Sequence, residues 1–307
     1  MLEKLDFNLL TQVADMSFLP KDAAYNIRKN GVGAGRVVTA NIDIANKADK
    51  PGIDITVKPF TKGETVHIPV IITESGHSEM VYNDFYIGEG ADVLIVAGCG
   101  IHNSGCSESR HDGLHRFFIG KNAKIKYVEK HYGDGDGEGS RVMNPQTQIF
   151  MESGSLCEME SVQIRGIDST KRNTTAVLAD NARLVVTERL MTHGKQVAES
   201  NMTVELNGKA SSAQIISRSV GRDASSQVFF PNAVGNAACR AHIQCDSILM
   251  DNAKIRSVPA ITANHPDAQI IHEAAIGRIN NDQLLKLMTF GMTEEEAEEI
   301  ILEGFLK

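Results

Sequence analysis

The stretch NAKIKYV, residues 122–128, sets a turn residue beside a small residue and then alternates aliphatic with charged positions. The same device opens GADVLIV (90–96), GSLCEME (154–160), NARLVVT (181–187) and NAKIRSV (252–258), with a weaker copy in NGKASSAQII (207–216). Asn or Gly supplies the backbone freedom of a tight turn, and a period of two marks a half-buried strand. The small residues fall at Ala91, Ala123, Ser155, Ala182, Ala210 and Ala253, in steps of 32, 32, 27, 28 and 43. Stacked coils leave this kind of loose self-similarity, because one coil cannot cover its own apolar face.

Working outward, VVTANIDI (37–44), VHIPVII (66–72), DVLIVAG (92–98), AKIKYVE (123–129), ARLVVTER (182–189) and AQIISRS (213–219) read as further short strands. The fold class is mainly β. A β-solenoid is the leading architecture, and a two-sheet sandwich shares the same short strands and turn residues. Helices flank the array. KDAAYNIRKNG (21–31) reads as a short helix stopped by Gly31, within an N-terminal helical segment 1–35 ahead of a β core 36–275. In the tail, 276–307, Asn280 or Asn281 caps one helix whose apolar face is Leu284, Leu287 and Met288, and Gly291 supplies the left-handed stop. Thr293 and Glu296 form a capping box for a second, with Ala297, Ile300, Ile301 and Phe305 as its buried stripe. Such a pair is either a docking module or an end cap.

Length 307 and a hydrophobic fraction of 42% suit a globular interior. With 39 acidic against 31 basic side chains the net charge is −8, so no nucleic-acid partner is expected. No signal-peptide core or long apolar run occurs, so no membrane association and a cytoplasmic location are expected. Five cysteines form no dense framework, and free or metal-bound thiols are expected over disulfides.

GVGAG (31–35) has the wrong order for a dinucleotide cradle, HYGDGDGEGSR (131–141) reads as a flexible acidic loop, and no P-loop motif is present. The stretch CGIHNSGCSESRHDGLHRF (99–117) is richer in chemistry. Cys99, His102, Cys106, His111 and His115 could ligate zinc or iron, and the gap of four between the last two would align them on a helix, although Gly113 weakens it. A reactive thiol and a polar loop are the competing readings. A zinc-dependent hydrolase centred on His102, His111, Asp112 and His115 is the corresponding enzyme alternative. In CRAHIQCDSILM (239–250), strand alternation buries Cys239, Ala241, Ile243, Cys245, Ser247 and Leu249 and separates the two thiols by about 20 Å, too far to share one metal ion.

IQCDSILMDNAKIRSVPAI (243–261) followed by DAQIIHEAAIGRINNDQLLKLMTFGMTEEEAEEIILEGF (267–305) resembles the carboxyl half of the SufB/SufD family, scaffold subunits of the SUF system for iron–sulfur cluster assembly. The likeness rests on the Q-C-D-S strand, the H-E-A strand start, D-Q-L, a glycine, a T-E-E-E-A helix and a final G-F. It implies a right-handed parallel β-helix, a transient iron–sulfur cluster, and Cys245, Glu273 and His272 as the groups that hold or build it. It also implies that the tail docks a SufC-type ABC ATPase, that a second SufB- or SufD-like chain pairs edge to edge, and that a sulfur donor delivers to the protein. Longer SufB chains carry a further sulfur-accepting cysteine. Near its place only Cys157 is found, which leaves the 99–115 stretch as a candidate acceptor of sulfur or iron. A SufD-like partner that carries no cluster is the remaining alternative.

Overall fold

The protein, described here by a computed structural model over residues 2–307, is a β-solenoid of about eight turns with one helix before it and two after it. The chain runs through α1 (Lys4–Ala14), β1 (Ala24–Lys29), β2 (Val32–Val37), β3 (Ile42–Asn46), β4 (Gly52–Val57), β5 (Lys62–Ile72) and β6 (Ser78–Ile87). The regular coils follow as β7 (Asp92–His102), β8 (Ser109–Ile119), β9 (Lys124–Asp134), β10 (Arg141–Met151), β11 (Leu156–Arg165), β12 (Ser169–Leu178), β13 (Arg183–Thr192) and β14 (Val197–Leu206). The last are β15 (Ser212–Gly221), β16 (Ser226–Gly235), β17 (Arg240–Leu249), β18 (Lys254–Ser257), β19 (Ala260–Ala263) and β20 (Gln269–Gly277), before α2 (Asn281–Thr289) and α3 (Glu294–Leu306).

From β5 onward odd-numbered strands build one sheet, A, as far as β17, and β20 follows β17; even-numbered strands from β4 to β18 build the facing sheet B. Successive strands in each sheet pair in parallel, one coil apart, whereas β1–β2 and β3–β4 are antiparallel. The repeated turn works as its residue types require. Asn122 and Asn181 adopt φ 56° and 57°, and the next residue's N–H closes the turn onto the carbonyl of Gly120 or Ala179. Ala91, Ala123, Ser155 and Ala182 are buried behind it.

Two members of the series are corrected. Ala210 occupies the left-handed position itself, at φ 57°, so the buried small residue is Ser211. Ala253 precedes β18 in sheet B, and the counterpart in sheet A is Ala268, ahead of β20. The step of 43 therefore joined positions on different sheets.

The amino-terminal reading is also corrected. Residues 21–31 are not helical: β1 and β2 form a hairpin around Asn30 and Gly31, both at positive φ (45° and 78°), the two-residue turn that matches strand twist. The boundary at 35/36 falls inside β2, and VVTANIDI is split between β2 and β3. The helix lies earlier, at α1, whose Leu9, Leu10 and Val13 pack on Tyr25, Ile27, Ile71 and Val96. Its backbone rests on Gly98, where a Cβ would come within 2.3 Å of the Val13 carbonyl oxygen. The acidic stretch 131–141 is not a free loop either. After β9 its glycines stack on the preceding corner, with Gly137 N–H donating to Asn103 O at 3.1 Å and Gly139 N–H to Gly105 O at 2.9 Å.

The tail caps match expectation: Asn280 accepts from Asp282 N–H, and Thr293 and Glu296 close a capping box. The stripe of α3 is corrected to Ala297, Leu302 and Leu306, with Ile300 exposed. Leu302 and Leu306 pack on Val220, Met191 and Ile248, so α3 lies on the outer face of sheet A, while α2 buries no residue.

Candidate functional site

Alternation along a parallel strand and an unbroken register between coils turn the lumen into axial columns of side chains. In sheet A one inward column runs Ala97, Glu129, Ser161, Glu188, Ser217, Cys245 and Ala274. The column beside it runs Tyr127, Met159, Val186, Ile215, Ile243 and His272. These registers bring the Cys245 Sγ to 3.4 Å from His272 Nε2, at the last coil.

Cys245 is 3% exposed, and burial pushes its thiol up to about 11. The nearby Ser257 hydroxyl from sheet B opposes the shift, and the negative charges of Glu188 and Asp246 add to it. Burial and the nearby His242 hold the His272 imidazole below its usual range. A neutral imidazole against a protonated thiol is the resting state of the pair.

Glu273 pairs in register with Gln244, so it points to the outer face, opposite to Cys245 and His272. There its Oε2 lies 3.6 Å from His242 Nε2, an atom buried without a hydrogen-bond partner. The three expected residues thus occupy two adjacent strands as two pairs, Cys245–His272 inside and Glu273–His242 outside. The strand that carries half of each pair, β20, is the edge of sheet A and is exposed along most of its length.

The stretch 99–115 is two strands and a corner. Because four is also an even number, His111 and His115 share the inward face of β8, while Asp112 points outward and accepts from Arg110 and Asn144. Cys99 is buried and joins His111, His115, Glu129 and His131 around a cavity of about 20 Å³, whereas Cys106 is exposed and His102 lies at the end of β7. The five proposed metal ligands therefore do not converge, and among the described residues no three His, Cys, Asp or Glu side chains are arranged to hold a metal ion.

An internal ion network runs through the lumen beside this cavity. Arg172 bonds Glu129, lies 3.7 Å from Glu188 and donates to His131 Nδ1 at 3.2 Å. Tyr127 donates to Glu129 at 3.0 Å, so the 2.9 Å contact makes His115 Nδ1 the donor to the tyrosine oxygen, and His115 Nε2 accepts from Asn83. That tautomer is neutral. Burial holds both His115 and His131 down at about 4. Burial also works against the Glu129 carboxylate, but Arg172 and the two histidines bring it to about 2. Burial, with Glu79 and Glu129 near it, drives the Cys99 thiol well above its ordinary range, which removes it as a ready nucleophile.

Sequence reasoning overlooked Glu188, Ser217, Ser257 and His242. In ARLVVTER the alternation Leu184, Val186, Glu188 places a carboxyl on the buried face, and that was the available signal.

The family profile described as SUF system FeS cluster assembly, SufBD core domain, matches residues 70–305. An iron–sulfur cluster assembly SufBD family protein of Methanocaldococcus jannaschii is 28% identical over 243 residues, covering 78% of this chain and 76% of the relative. A protein of the same family from Archaeoglobus fulgidus is 26% identical over 250 residues, covering 80% and 66%. One from Pyrococcus horikoshii is 33% identical over 292 residues, covering 87% and 52%. The chain thus spans only part of the length of several relatives that it matches.

Proposed function

Since the chain belongs to the SufBD family and so has a role in iron–sulfur cluster assembly, we propose that it is a scaffold on which the cluster is built at the β17–β20 edge. The observation that carries this reading is the Cys245–His272 contact at 3.4 Å, on a strand whose far side has no neighbour. One thiolate and one imidazole hold iron less firmly than four thiolates, which suits a cluster that has to be handed on. Cys245 starts as a thiol and gives up its proton to solvent on ligation, and the neutral His272 imidazole beside it keeps a lone pair for iron. Glu273, from the outer face, is a ligand available to a cluster that lies across the strand edge.

Cys245, His272 and Glu273 are three ligands where a 2Fe–2S or 4Fe–4S cluster takes four, so we infer that a second SufB- or SufD-like chain adds ligands across β20. The exposed Ile271 and Ile276 on that strand favour such a contact. A SufC-type ABC ATPase is assigned to the tail, where Leu285, Met288, Phe290 and Ile300 present apolar surface.

Anaerobic reconstitution with ferrous iron and sulfide tests the scaffold reading. Visible cluster absorbance is expected in the wild type, a loss of most of it in Cys245→Ser, and a smaller loss in Glu273→Gln. Equal absorbance in wild type and Cys245→Ser would refute the site.

A further inference from the structure

Sheet A ends at β17 and β20 on the Cys245 side, and its opposite end is β1 and β2. There β1, β2 and the turn before β4 enclose an open cleft of about 580 Å³. Its lining is unusual for so acidic a chain. It carries Arg28, Arg36, Lys47 and Lys50, with Asn26 and Asn46 between them, and among the described residues no Asp or Glu. Its floor is apolar, built from Ile53, Ile68 and Val81.

The four cations differ in how much of their charge is spent. Arg28 is paired with Glu79 at 2.6 Å, and Lys47 with Asp54 and, at 2.8 Å, Asp84. Among the described residues no carboxylate pairs with Arg36. Its guanidinium donates to Asn26 Oδ1 at 2.8 Å, to the Ile44 carbonyl at 3.3 Å and to Asn46 Oδ1. Three neutral acceptors therefore fix the fork and leave its charge uncompensated. Lys50 has only Asp49, 3.8 Å away with a side chain 73% exposed, and the ring of Tyr82 beneath its ammonium. An anchored guanidinium and an ammonium on one rim suit a phosphate group, and an apolar floor in a cleft of this volume suits a flat organic body.

We propose that this cleft binds a phosphate-bearing small molecule of nucleotide size, with Arg36 and Lys50 on the phosphates and the Ile53–Ile68–Val81 floor under the organic part. The net charge of −8 repels a long polyanion through its extended field, but that field is screened over about 10 Å and does not govern a dianion between two fixed cations. Most of the lining precedes residue 70, ahead of the stretch that the family profile matches, so the cleft is a property of this chain's first coils and is independent of the reading given to Cys245.

Isothermal titration of the full chain with ADP, GDP, CDP and UDP, and separately with inorganic pyrophosphate, decides the matter. At least one nucleotide is expected to bind with unit stoichiometry, about tenfold weaker in Arg36→Gln and undetectably at about 1 mM in Arg36→Gln/Lys50→Ala. Pyrophosphate is expected to bind more weakly than that nucleotide. Lys195→Ala, which alters an exposed cation outside the cleft, should bind as the wild type does. Thermal midpoints of all variants should agree, since Arg36 and Lys50 lie on the surface side of the hairpin and turn. Binding by none of the four nucleotides at about 1 mM, or binding unchanged in the double variant, overturns the assignment. Pyrophosphate binding as tightly as any nucleotide overturns the role of the floor.

Discussion

Cys245 combines a reactive element with an unreactive setting, and its alkylation should show it. Only the thiolate attacks iodoacetamide, and burial has moved this thiol to about 11. Exposed Cys106 should therefore label first at pH 8, and labelling of Cys245 should climb as pH rises toward 11, followed by mass spectrometry of the peptides. Comparable rates at pH 8 would mean that the pocket around Cys245 is open. The same shift is a stability statement: a thiol whose folded value lies above its unfolded one favours the fold below about 9 and ceases to do so as pH rises through 11. A second residue-scale prediction concerns Ala210, the one alanine at positive φ, which stands where other turns carry Asn122 and Asn181. Asn tolerates this conformation better, and the side chain at 210 is exposed. Ala210→Asn should stabilise the protein by about 0.5–1 kcal/mol in urea denaturation.

At the scale of elements, the strands carry charge as well as apolar packing into the lumen. Arg172 from β12 stands between Glu129 of β9 and Glu188 of β13, all of them buried. Removing the cation alone leaves two buried carboxyls with hydroxyl donors but no countercharge, so Arg172→Met should cost about 3–5 kcal/mol, and adding Glu129→Gln and Glu188→Gln should restore most of it. The histidines give this network an acid limb. His115 and His131 are neutral in the fold near a value of about 4, against 6.5 unfolded, so the unfolded chain binds more protons and stability falls as pH drops from 6.5 to 4. Glu79 and Glu129, at about 2, add a further loss as pH falls below 4.5. Urea midpoints at pH 7.5, 5.5 and 4 should record the first limb, and His131→Gln should flatten it. What was legible in the sequence follows the range of the interaction. The caps at Asn280 and Thr293 are decided within a few residues and match the sequence, as does the buried face of β17 up to Cys245, beyond which Ser247 and Leu249 are only half-buried at the last coil. The hairpin at Asn30–Gly31 was missed because the residues before it offer a short helical pattern as well, and only pairing of β1 with β5 settles the choice. The motif residues Cys245, His272 and Glu273 were named from resemblance, yet their faces depend on the register Gln244–Glu273, set by the whole coil that separates them.

For the whole molecule the two ends of the solenoid differ in kind. One end is bounded by the antiparallel pairs β1–β2 and β3–β4, and the other presents β20 with free strand-edge groups and exposed Ile271 and Ile276. No helix of the described residues is long and apolar enough to cross a membrane. A long, apolar, unprotected edge invites strand pairing unless a partner occupies it, and a lysine placed there is the usual obstruction. Ile271 lies on the outer face beside Glu273, is 56% exposed and supports no part of the core, so Ile271→Lys should leave the thermal midpoint unchanged. If β20 is the seam, sedimentation velocity should show the wild type as a dimer at micromolar concentration and Ile271→Lys shifted to monomer, with cluster absorbance on reconstitution falling in parallel while Cys245 remains in place. Monomeric wild type that still assembles a cluster would sink the seam, because Cys245 and His272 on the inner face and Glu273 on the outer face of one edge would then have to suffice without a second chain.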